Sequence, residues 1–177
     1  MVHFIARTLL LVVCSVGAGA AENAAPAAAP TPPAAPAAQP MTVYDLALGN
    51  GWNNWSWAKT ELSTELKGSA RKPIKVLAGP YQALYLAHDP FTTSGFKQVS
   101  LLIQGSAPEG VVRLFLLTDG KVNGEGKLIK LSNTGWTQVV VPLATLASED
   151  KLVNGLWVQN ATGADLPKFY VTEIRIE

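Results

Sequence analysis

The sequence predicts an all-β domain, a β-sandwich of the jelly-roll type, and three observations support this. From residue 42 onward, short runs with strand-like alternation or β-branched residues follow one another. Loops rich in Gly, Asn, Asp and Pro separate these runs, and such residues form turns. The only helix-like stretch is LATLASED, residues 143–150, which is predicted to be a single turn or a short helix. Many short strands at this spacing indicate two packed antiparallel sheets.

Six strands are predicted from strong patterns, and three earlier ones rest on weaker patterns. The six cover residues 81–87, 98–104, 111–118, 137–142, 155–159 and 169–176. The three earlier strands lie around residues 42–47, 56–61 and 74–77. The HDP of residues 88–90 is predicted to be a turn that follows the strand 81–87, because Asp and Pro favour turns.

Residues 1–20 are predicted to be a secretory signal peptide. His3 and Arg7 form a short basic region, an apolar run follows, and Ala18-Gly19-Ala20 fits a small-x-small cleavage site. The apolar run is short for a bilayer, which argues against the alternative of a retained membrane anchor. We therefore expect a secreted, periplasmic or cell-envelope protein with no membrane insertion after cleavage.

Cleavage there changes the chemistry that the chain can perform. Cys14 is the only cysteine and lies in the predicted signal peptide, so disulfides and thiolate sites are excluded from the mature chain. Loss of Arg7 reduces Lys+Arg from 14 to 13, equal to the 13 Asp+Glu, all of which follow the cut. A neutral chain argues against nucleic acid as a partner.

Residues 21–40 are predicted to be a spacer, and residues 41–177 one folded domain. The segment AENAAPAAAPTPPAAPAAQP is almost entirely alanine and proline, a composition typical of extended polyproline II. An inert disordered leader is the alternative interpretation. The remaining residues are numerous enough to bury one core without disulfides.

Alternation gives each central strand one row of aliphatic side chains and one mixed row, in which aromatic, polar and small side chains occur together. Leu84 and Leu86 alternate with Tyr81, Ala83 and Tyr85. The same alternation assigns Arg113 and Phe115 to one mixed row, and Trp157 and Gln159 to another. Sugar C–H faces stack on aromatic rings, while amide and guanidinium groups pair with hydroxyls. The alternative is a second hydrophobic layer covered by loops.

The mixed rows give the candidate carbohydrate-binding residues. Tyr81, Tyr85 and Trp157 are predicted to be stacking surfaces. Gln104, Arg113 and Gln159 are predicted to be polar groups that recognise hydroxyls. We group these six residues because strand parity directs all of them away from the predicted core.

The segment NGWNNWSWAK, residues 50–59, holds three of the five tryptophans. Trp55 and Trp57 share strand parity, so both rings should face the same way. Because the mature chain has no disulfide, we expect these two rings to be buried as a core anchor. Trp52 follows Gly51 and a turn, so we expect it to be exposed and add it to the candidate binding residues.

The segment TVYDLALGNGWNNWSWA resembles the opening of non-catalytic jelly-roll modules attached to secreted bacterial polysaccharide-degrading enzymes. The resemblance continues in GPYQALYL (79–86), in the Ser-Gly-Phe turn at 94–96, in the GWTQVVVPL of 135–143 and in the FYVTEI of 169–174. It implies a galactose-binding-like β-sandwich that binds carbohydrate without catalysis. It also implies a structural calcium ion held by carboxylates near the chain ends.

Two departures from this family pattern affect what the resemblance implies. Where such modules often carry paired aspartates, this chain has one carboxylate at each place, Asp45 and Glu173. Calcium takes six to eight oxygen ligands, so backbone carbonyls and water would have to complete the site. No enzyme domain follows the module in this sequence, so it acts alone or assists another secreted component.

An enzyme is the least favoured reading of this sequence. The only histidine beyond the predicted signal peptide is His88, no GxSxG elbow surrounds a serine, and most acids lie in loops. The sequence therefore predicts a module that binds a polysaccharide or cell-wall glycan. The alternative is a protein-interaction or envelope-structural module, with a polysaccharide-active enzyme third. Neither the glycan nor its linkage follows from the sequence.

Overall fold

The structure is a computed structural model that describes residues 38–177. The predicted signal peptide and residues 21–37 of the predicted spacer lie outside the described residues. Within residues 38–177, no helix has the length and apolar character needed to cross a membrane. The first strand begins at Met41.

The described chain forms two antiparallel six-stranded sheets. The first sheet contains β1 (Met41–Tyr44), β3 (Lys59–Glu61), β4 (Ile74–Leu77), β6 (Gln98–Gly105), β10 (Thr137–Pro142) and β12 (Phe169–Ile176). Its order is β10-β6-β12-β4-β3, and β1 also pairs with β12. The second sheet contains β2 (Asn53–Asn54), β5 (Ala83–Thr92), β7 (Val111–Thr118), β8 (Lys121–Val122), β9 (Lys127–Lys130) and β11 (Leu152–Asn160). Its order is β2-β5-β11-β7-β8, and β9 also pairs with β7.

The predicted aliphatic rows form the core between the two sheets. Each of these side chains is at most 1% exposed: Leu84, Leu86, Val112, Leu114, Leu116, Leu156 and Val158 from the second sheet, and Val99, Leu101, Ile103, Phe169 and Val171 from the first. Burying each such side chain contributes roughly 1.5–3 kcal/mol to folding. The alternation therefore assigned the core correctly, and the predicted β-sandwich is confirmed.

The strand β5 differs from the prediction, because it continues through the HDP segment to Thr92. Ala87 pairs with Gly155, whereas Phe91 pairs with Val153, so three residues of β5 oppose one residue of β11. This irregularity is a β-bulge. On the other edge, β2 pairs with β5 only as far as Ala87, so Pro90 interrupts no ladder there.

Three short strands also differ from the prediction. β2, β8 and β9 lie in segments that the sequence pattern assigns to loops or leaves unassigned, and they are two, two and four residues long. Runs this short show no alternation that a pattern can detect. The helix-like stretch 143–150 contains a single 3-10 turn, Leu143–Leu146, in agreement with the prediction; it ends because Ala147 has φ of +50°, in the left-handed region.

A buried asparagine ties the loop after β11 to the connection between β4 and β5. Asn160 is fully buried, and its Nδ2 donates to the carbonyl oxygens of Ala78 at 3.3 Å, Gly79 at 2.8 Å and Ala164 at 2.8 Å. Its Oδ1 accepts from the backbone N–H and the hydroxyl of Thr162, both at 2.8 Å. Every polar atom of this side chain is therefore satisfied inside the protein.

Replacing this asparagine should destabilise the domain. Asn160→Ala leaves several buried carbonyl and amide groups without partners, so we expect the free energy of unfolding to fall by about 3 kcal/mol. Urea denaturation followed by fluorescence measures this. Asn133→Ala is the control, since Asn133 is exposed in a loop and its removal should change stability by less than about 0.5 kcal/mol. Equal stability of the two variants would contradict the role of Asn160.

Candidate functional site

A row of aromatic side chains crosses the second sheet on the side turned away from the core, here called the outer face. Trp157 of β11 pairs with Tyr85 of β5 on one side and with Phe115 of β7 on the other. The ring centroids of Trp157 and Tyr85 are 5.8 Å apart, and those of Trp157 and Phe115 are 6.3 Å apart. Both contacts are edge-to-face, an arrangement that aromatic pairs favour.

Trp55 and Trp57 extend this row toward the edge of the sheet. The Trp57 ring lies 4.8 Å from that of Trp157, and the Trp55 ring lies 5.9 Å from that of Tyr85. Trp55 is 65% exposed and Trp57 is 42% exposed. The prediction that both are buried is wrong. Asn53 pairs with Ala87, an outward position, and alternation then directs residues 55 and 57 outward as well.

The segment that carries these two tryptophans is held along the edge of β5. The Trp55 N–H donates to the Tyr85 carbonyl at 2.9 Å, and the Ala58 N–H donates to the Ala83 carbonyl at 3.1 Å. Between them, the Tyr85 N–H donates to the Ser56 hydroxyl at 2.9 Å. The Ser56 hydroxyl thus takes the place of a backbone carbonyl as the acceptor for the Tyr85 N–H. The segment therefore continues β2 with irregular pairing, and it holds both indoles beside Tyr85.

Trp52 lies on the opposite side from the other two tryptophans and belongs to the core. It is 4% exposed, and its ring contacts the rings of His88 at 4.9 Å and Phe91 at 6.0 Å. The prediction that Trp52 is exposed and contacts ligand is wrong. Trp52 immediately precedes the outward-facing Asn53, so strand parity directs it inward.

Two polar side chains lie in the row next to the aromatic one. Gln159 of β11 pairs with Arg113 of β7, as the sequence pattern predicts. The Gln159 Nε2 donates to the Tyr81 carbonyl at 2.9 Å. The Arg113 guanidinium carbon lies 6.0 Å from the centroid of the Phe115 ring, and its Nε is buried without a hydrogen-bond partner. An amide and a cation therefore flank the aromatic row.

Tyr81 borders the outer face just before β5 begins. Its side chain is 60% exposed, and its backbone adopts φ of +57°, in the left-handed region. The Tyr81 carbonyl accepts hydrogen bonds from Gln159 and, at 3.4 Å, from the Trp57 Nε1. The structure therefore brings together five predicted site residues: Tyr81, Tyr85, Arg113, Trp157 and Gln159.

Gln104 does not belong to this face. It lies on β6 of the first sheet, where it pairs with Tyr170 of β12. Its grouping with Tyr85 and Trp157 is wrong, because parity distinguishes core from surface but does not tell which sheet a strand joins. Three residues of the face were absent from the predicted set: Trp55, Trp57 and Phe115. For Phe115 the signal was present, since it shares the mixed row of Arg113.

Two glycines make room for rings of the outer face. A Cβ on Gly155 would lie 2.6 Å from Cε2 of Tyr85, so the tyrosine ring lies directly over this glycine. A Cβ on Gly126 would lie 2.6 Å from two ring atoms of Phe115, and φ of Gly126 is +68°. These close approaches hold the Tyr85 and Phe115 rings low on the sheet.

The protonation state of Tyr85 follows from its partial burial. Desolvation raises the pKa of the phenol above its ordinary value of 10.0, because burial penalises the phenolate. At neutral pH, Tyr85 therefore keeps its hydroxyl proton and presents a neutral ring and a hydrogen-bond donor.

His88 packs as an aromatic side chain beside the core. Its ring lies between those of Trp52 and Phe91, with centroids 4.9 and 5.3 Å away. Its Nδ1 lies 2.6 Å from the Asp89 carbonyl oxygen. A Cβ on Gly51 would meet the imidazole at 2.6 Å, so glycine is required at that turn. These contacts give His88 a packing role.

The two carboxylates considered for calcium each face an arginine. The Glu173 Oε1 accepts from the Arg71 Nε at 2.8 Å, and the Asp45 Oδ2 lies 4.0 Å from the Arg175 Nη2. Within residues 38–177, no three Asp, Glu, His or Cys side chains cluster closely enough to hold a metal ion. A calcium site here would need backbone carbonyls and water for most of its six to eight oxygen ligands.

Carbohydrate-binding modules are among the solved structures that share this fold. A single-residue variant of CBM29-2, a family 29 module, has a TM-score of 0.59 and 16% identity, over 79% of this chain and 92% of that chain. A second CBM29-2 variant, complexed with cellulohexaose, has a TM-score of 0.54 and 14% identity, over 78% and 89%. The family 11 module of a cellulosomal cellulase of Clostridium thermocellum has a TM-score of 0.56 and 13% identity, over 79% and 95%. The fold is that of a carbohydrate-binding module.

No protein-family model and no curated relative matches the sequence. The structural likeness confirms the resemblance to jelly-roll carbohydrate-binding modules. Because one fold serves many functions, the ligand of this carbohydrate-binding-module fold has to be argued from the residues of the outer face.

The close approach at Gly155 gives a test of how the Tyr85 ring is held. Gly155→Ala places a methyl group against this ring, so we expect a changed near-UV circular dichroism spectrum and a loss of about 1–3 kcal/mol in unfolding free energy. Gly163→Ala is the matched control, since a Cβ there meets only the Tyr81 hydroxyl, at 3.5 Å. An unchanged spectrum in Gly155→Ala would show that the ring does not occupy this position.

Calcium dependence stays a prediction of the sequence that melting can test. Because arginines engage both Asp45 and Glu173, we expect the same Tm in excess EDTA and in millimolar calcium. A calcium-dependent rise in Tm that disappears in Asp45→Asn would contradict this expectation and restore the calcium site.

Proposed function

We propose that the domain is a secreted, non-catalytic module that binds a polysaccharide or cell-wall glycan on its outer face. The observation that carries the proposal is the continuous aromatic row of Trp55, Trp57, Tyr85 and Trp157, flanked by Gln159 and Arg113. The two tryptophans at the edge are 65% and 42% exposed, a large apolar area to leave in water. Sugar rings present apolar C–H faces and hydroxyls together, which suits such a face.

The dimensions of the row favour a polymer as the ligand. Neighbouring strands are about 4.8 Å apart, so the row from the edge segment 55–57 across β5 to β11 spans roughly 10 Å. Phe115 on β7 lies beneath the surface at 6% exposure. A cleft of about 540 Å³ lies instead at one end of the sandwich, and its ten lining residues include no aromatic side chain. An open row of rings suits a chain of sugars better than a single small molecule.

Two further parts of the proposal rest on the sequence. Residues 1–20 would direct the chain to the secretory route, and the Ala/Pro segment 21–40 would hold the module away from its attachment or neighbour. The absence of catalysis is likewise proposed, supported by the packing role of His88.

Removing one edge tryptophan should abolish most of the binding. Trp55→Ala removes a highly exposed ring without opening the core, so we expect at least a 30-fold weaker Kd for the retained glycan, corresponding to about 2 kcal/mol. Affinity electrophoresis across soluble glycans, with pull-down on insoluble ones, measures this. Trp136→Ala is the matched control, since Trp136 precedes β10 of the opposite sheet, where it stacks with Arg71.

The same binding measurements on a second variant separate glycan binding from the alternative of a protein-interaction module. Combined replacement of Tyr85, Arg113 and Trp157 by alanine should remove glycan retention. If the folded wild-type domain is retained by no glycan of a broad panel, the proposed function fails. Unchanged glycan retention with loss of a co-purifying protein would favour the protein-interaction module instead.

A further inference from the structure

The regular part of the outer face, where the strands pair without a bulge, carries charge of one sign, as the register of its strands shows. Its outward positions form four cross-strand rows: Ala87, Gly155, Leu117 and Val122; Tyr85, Trp157 and Phe115; Ala83, Gln159, Arg113 and Leu128; Val111 and Lys130. The outward residue of β2 is Asn53. Among these positions the charged residues are Arg113 and Lys130, and none is a carboxylate.

Neither of these two cations has an acidic partner within the described residues. The four ion pairs found in residues 38–177 join Arg71 to Glu173, Lys72 to Glu65, Lys75 to Glu61 and Arg175 to Asp45. All eight residues lie in the first sheet or its loops. The acids Glu109 and Asp165 line the cleft beyond Val111 and pair with neither cation. In this part of the chain Arg113 and Lys130 are therefore unpaired cations, and the one acid on the strands of the second sheet, Asp89, lies apart from them in the bulge of β5.

The side chain of Arg113 is half-buried, which distinguishes it from a fully solvated surface charge. Its Nε is buried with no hydrogen-bond partner, whereas a buried N–H is normally satisfied. The guanidinium lies against the Phe115 ring, with Cζ 6.0 Å from the ring centroid, which holds it close to the sheet. The Nη groups of Arg113 are not among the buried unpartnered atoms, so they are the donors that a ligand acceptor can reach.

We infer that the outer face takes an acidic polysaccharide, one whose sugar rings bear carboxylates, with Arg113 and Lys130 as its cationic partners. This inference rests on the proposed function. Guanidinium pairs with carboxylate through two parallel hydrogen bonds, a stronger interaction than guanidinium makes with a neutral hydroxyl. Lys130 lies diagonally across from Arg113, about 7–8 Å away by strand geometry, and adds a second positive charge beside the same row.

The inference is tested with one polymer in two charge states. Polygalacturonate and the same polymer after chemical reduction of its carboxylates are compared by affinity electrophoresis and titration calorimetry. We expect wild-type protein to bind the charged form about tenfold more tightly, since hydrogen bonds to charged groups are worth more than neutral ones. This preference should shrink as sodium chloride is raised, because salt screens exposed charges.

Variants of the two cations locate the preference on the outer face. Arg113→Gln and Lys130→Gln should each reduce the ratio of charged to neutral affinity severalfold. Arg113→Lys should recover part of the ratio, because it keeps the charge without the paired geometry. Lys67→Gln is the control, since Lys67 is exposed in the loop between β3 and β4, and it should leave the ratio unchanged.

The outcomes distinguish this inference from the proposed function. Equal or tighter binding of neutral glycans, lost in Trp55→Ala, would overturn the acidic ligand while leaving glycan binding intact. If both glutamine variants keep the preference for the charged polymer, then residues other than Arg113 and Lys130 recognise its carboxylates. This result would also overturn the inference. Retention of neither form, nor of any glycan, by the folded domain would overturn both.

Discussion

Strand alternation in the second sheet is the constraint on which the outer face depends. Each core leucine or valine of β5, β7 and β11 lies between two residues that point the other way. Burying Leu84, Leu86, Leu156 and Val158 between the sheets therefore obliges Tyr85 and Trp157 to point outward. A slip of one residue would bury Arg113 and Gln159 and expose the aliphatic row, so the core also keeps the aromatic row in register.

The rings that point outward hold one another in place. Tyr85 makes edge-to-face contacts with Trp55, Trp57 and Trp157, and Trp157 also contacts Trp57 and Phe115. Such contacts are worth about 0.5–1.5 kcal/mol each beyond area burial. Each contact also restricts the rotamers of two large side chains before any ligand arrives. Binding then orders fewer side chains, which favours affinity for a given contact area.

The sequence pattern predicted most of the fold, and the reasons for its failures are physical. Long strands such as β6 and β7 alternate over eight residues, so their bounds and faces could be derived. β2 is two residues long, too short for a pattern, and only its pairing with Leu86 and Ala87 decides that Trp52 is buried. Sheet membership is also absent from local pattern, which is why Gln104 was grouped with residues of the other sheet.

The candidate site also contains residues that the sequence pattern could predict and residues that it could not. Regular strands that pair with other regular strands carry Tyr85, Arg113, Trp157 and Gln159. Strand parity therefore predicts that these side chains share one face. Only the structure shows that they lie close together. Trp55 and Trp57 lie on an irregular segment that Ser56 attaches to β5 through its hydroxyl. That attachment is a single side-chain hydrogen bond in place of a ladder bond, and no periodicity reports it. The most exposed part of the aromatic row thus lies on a segment that two backbone hydrogen bonds and the Ser56 hydroxyl hold against β5, and this mixture of contacts has no local sequence pattern.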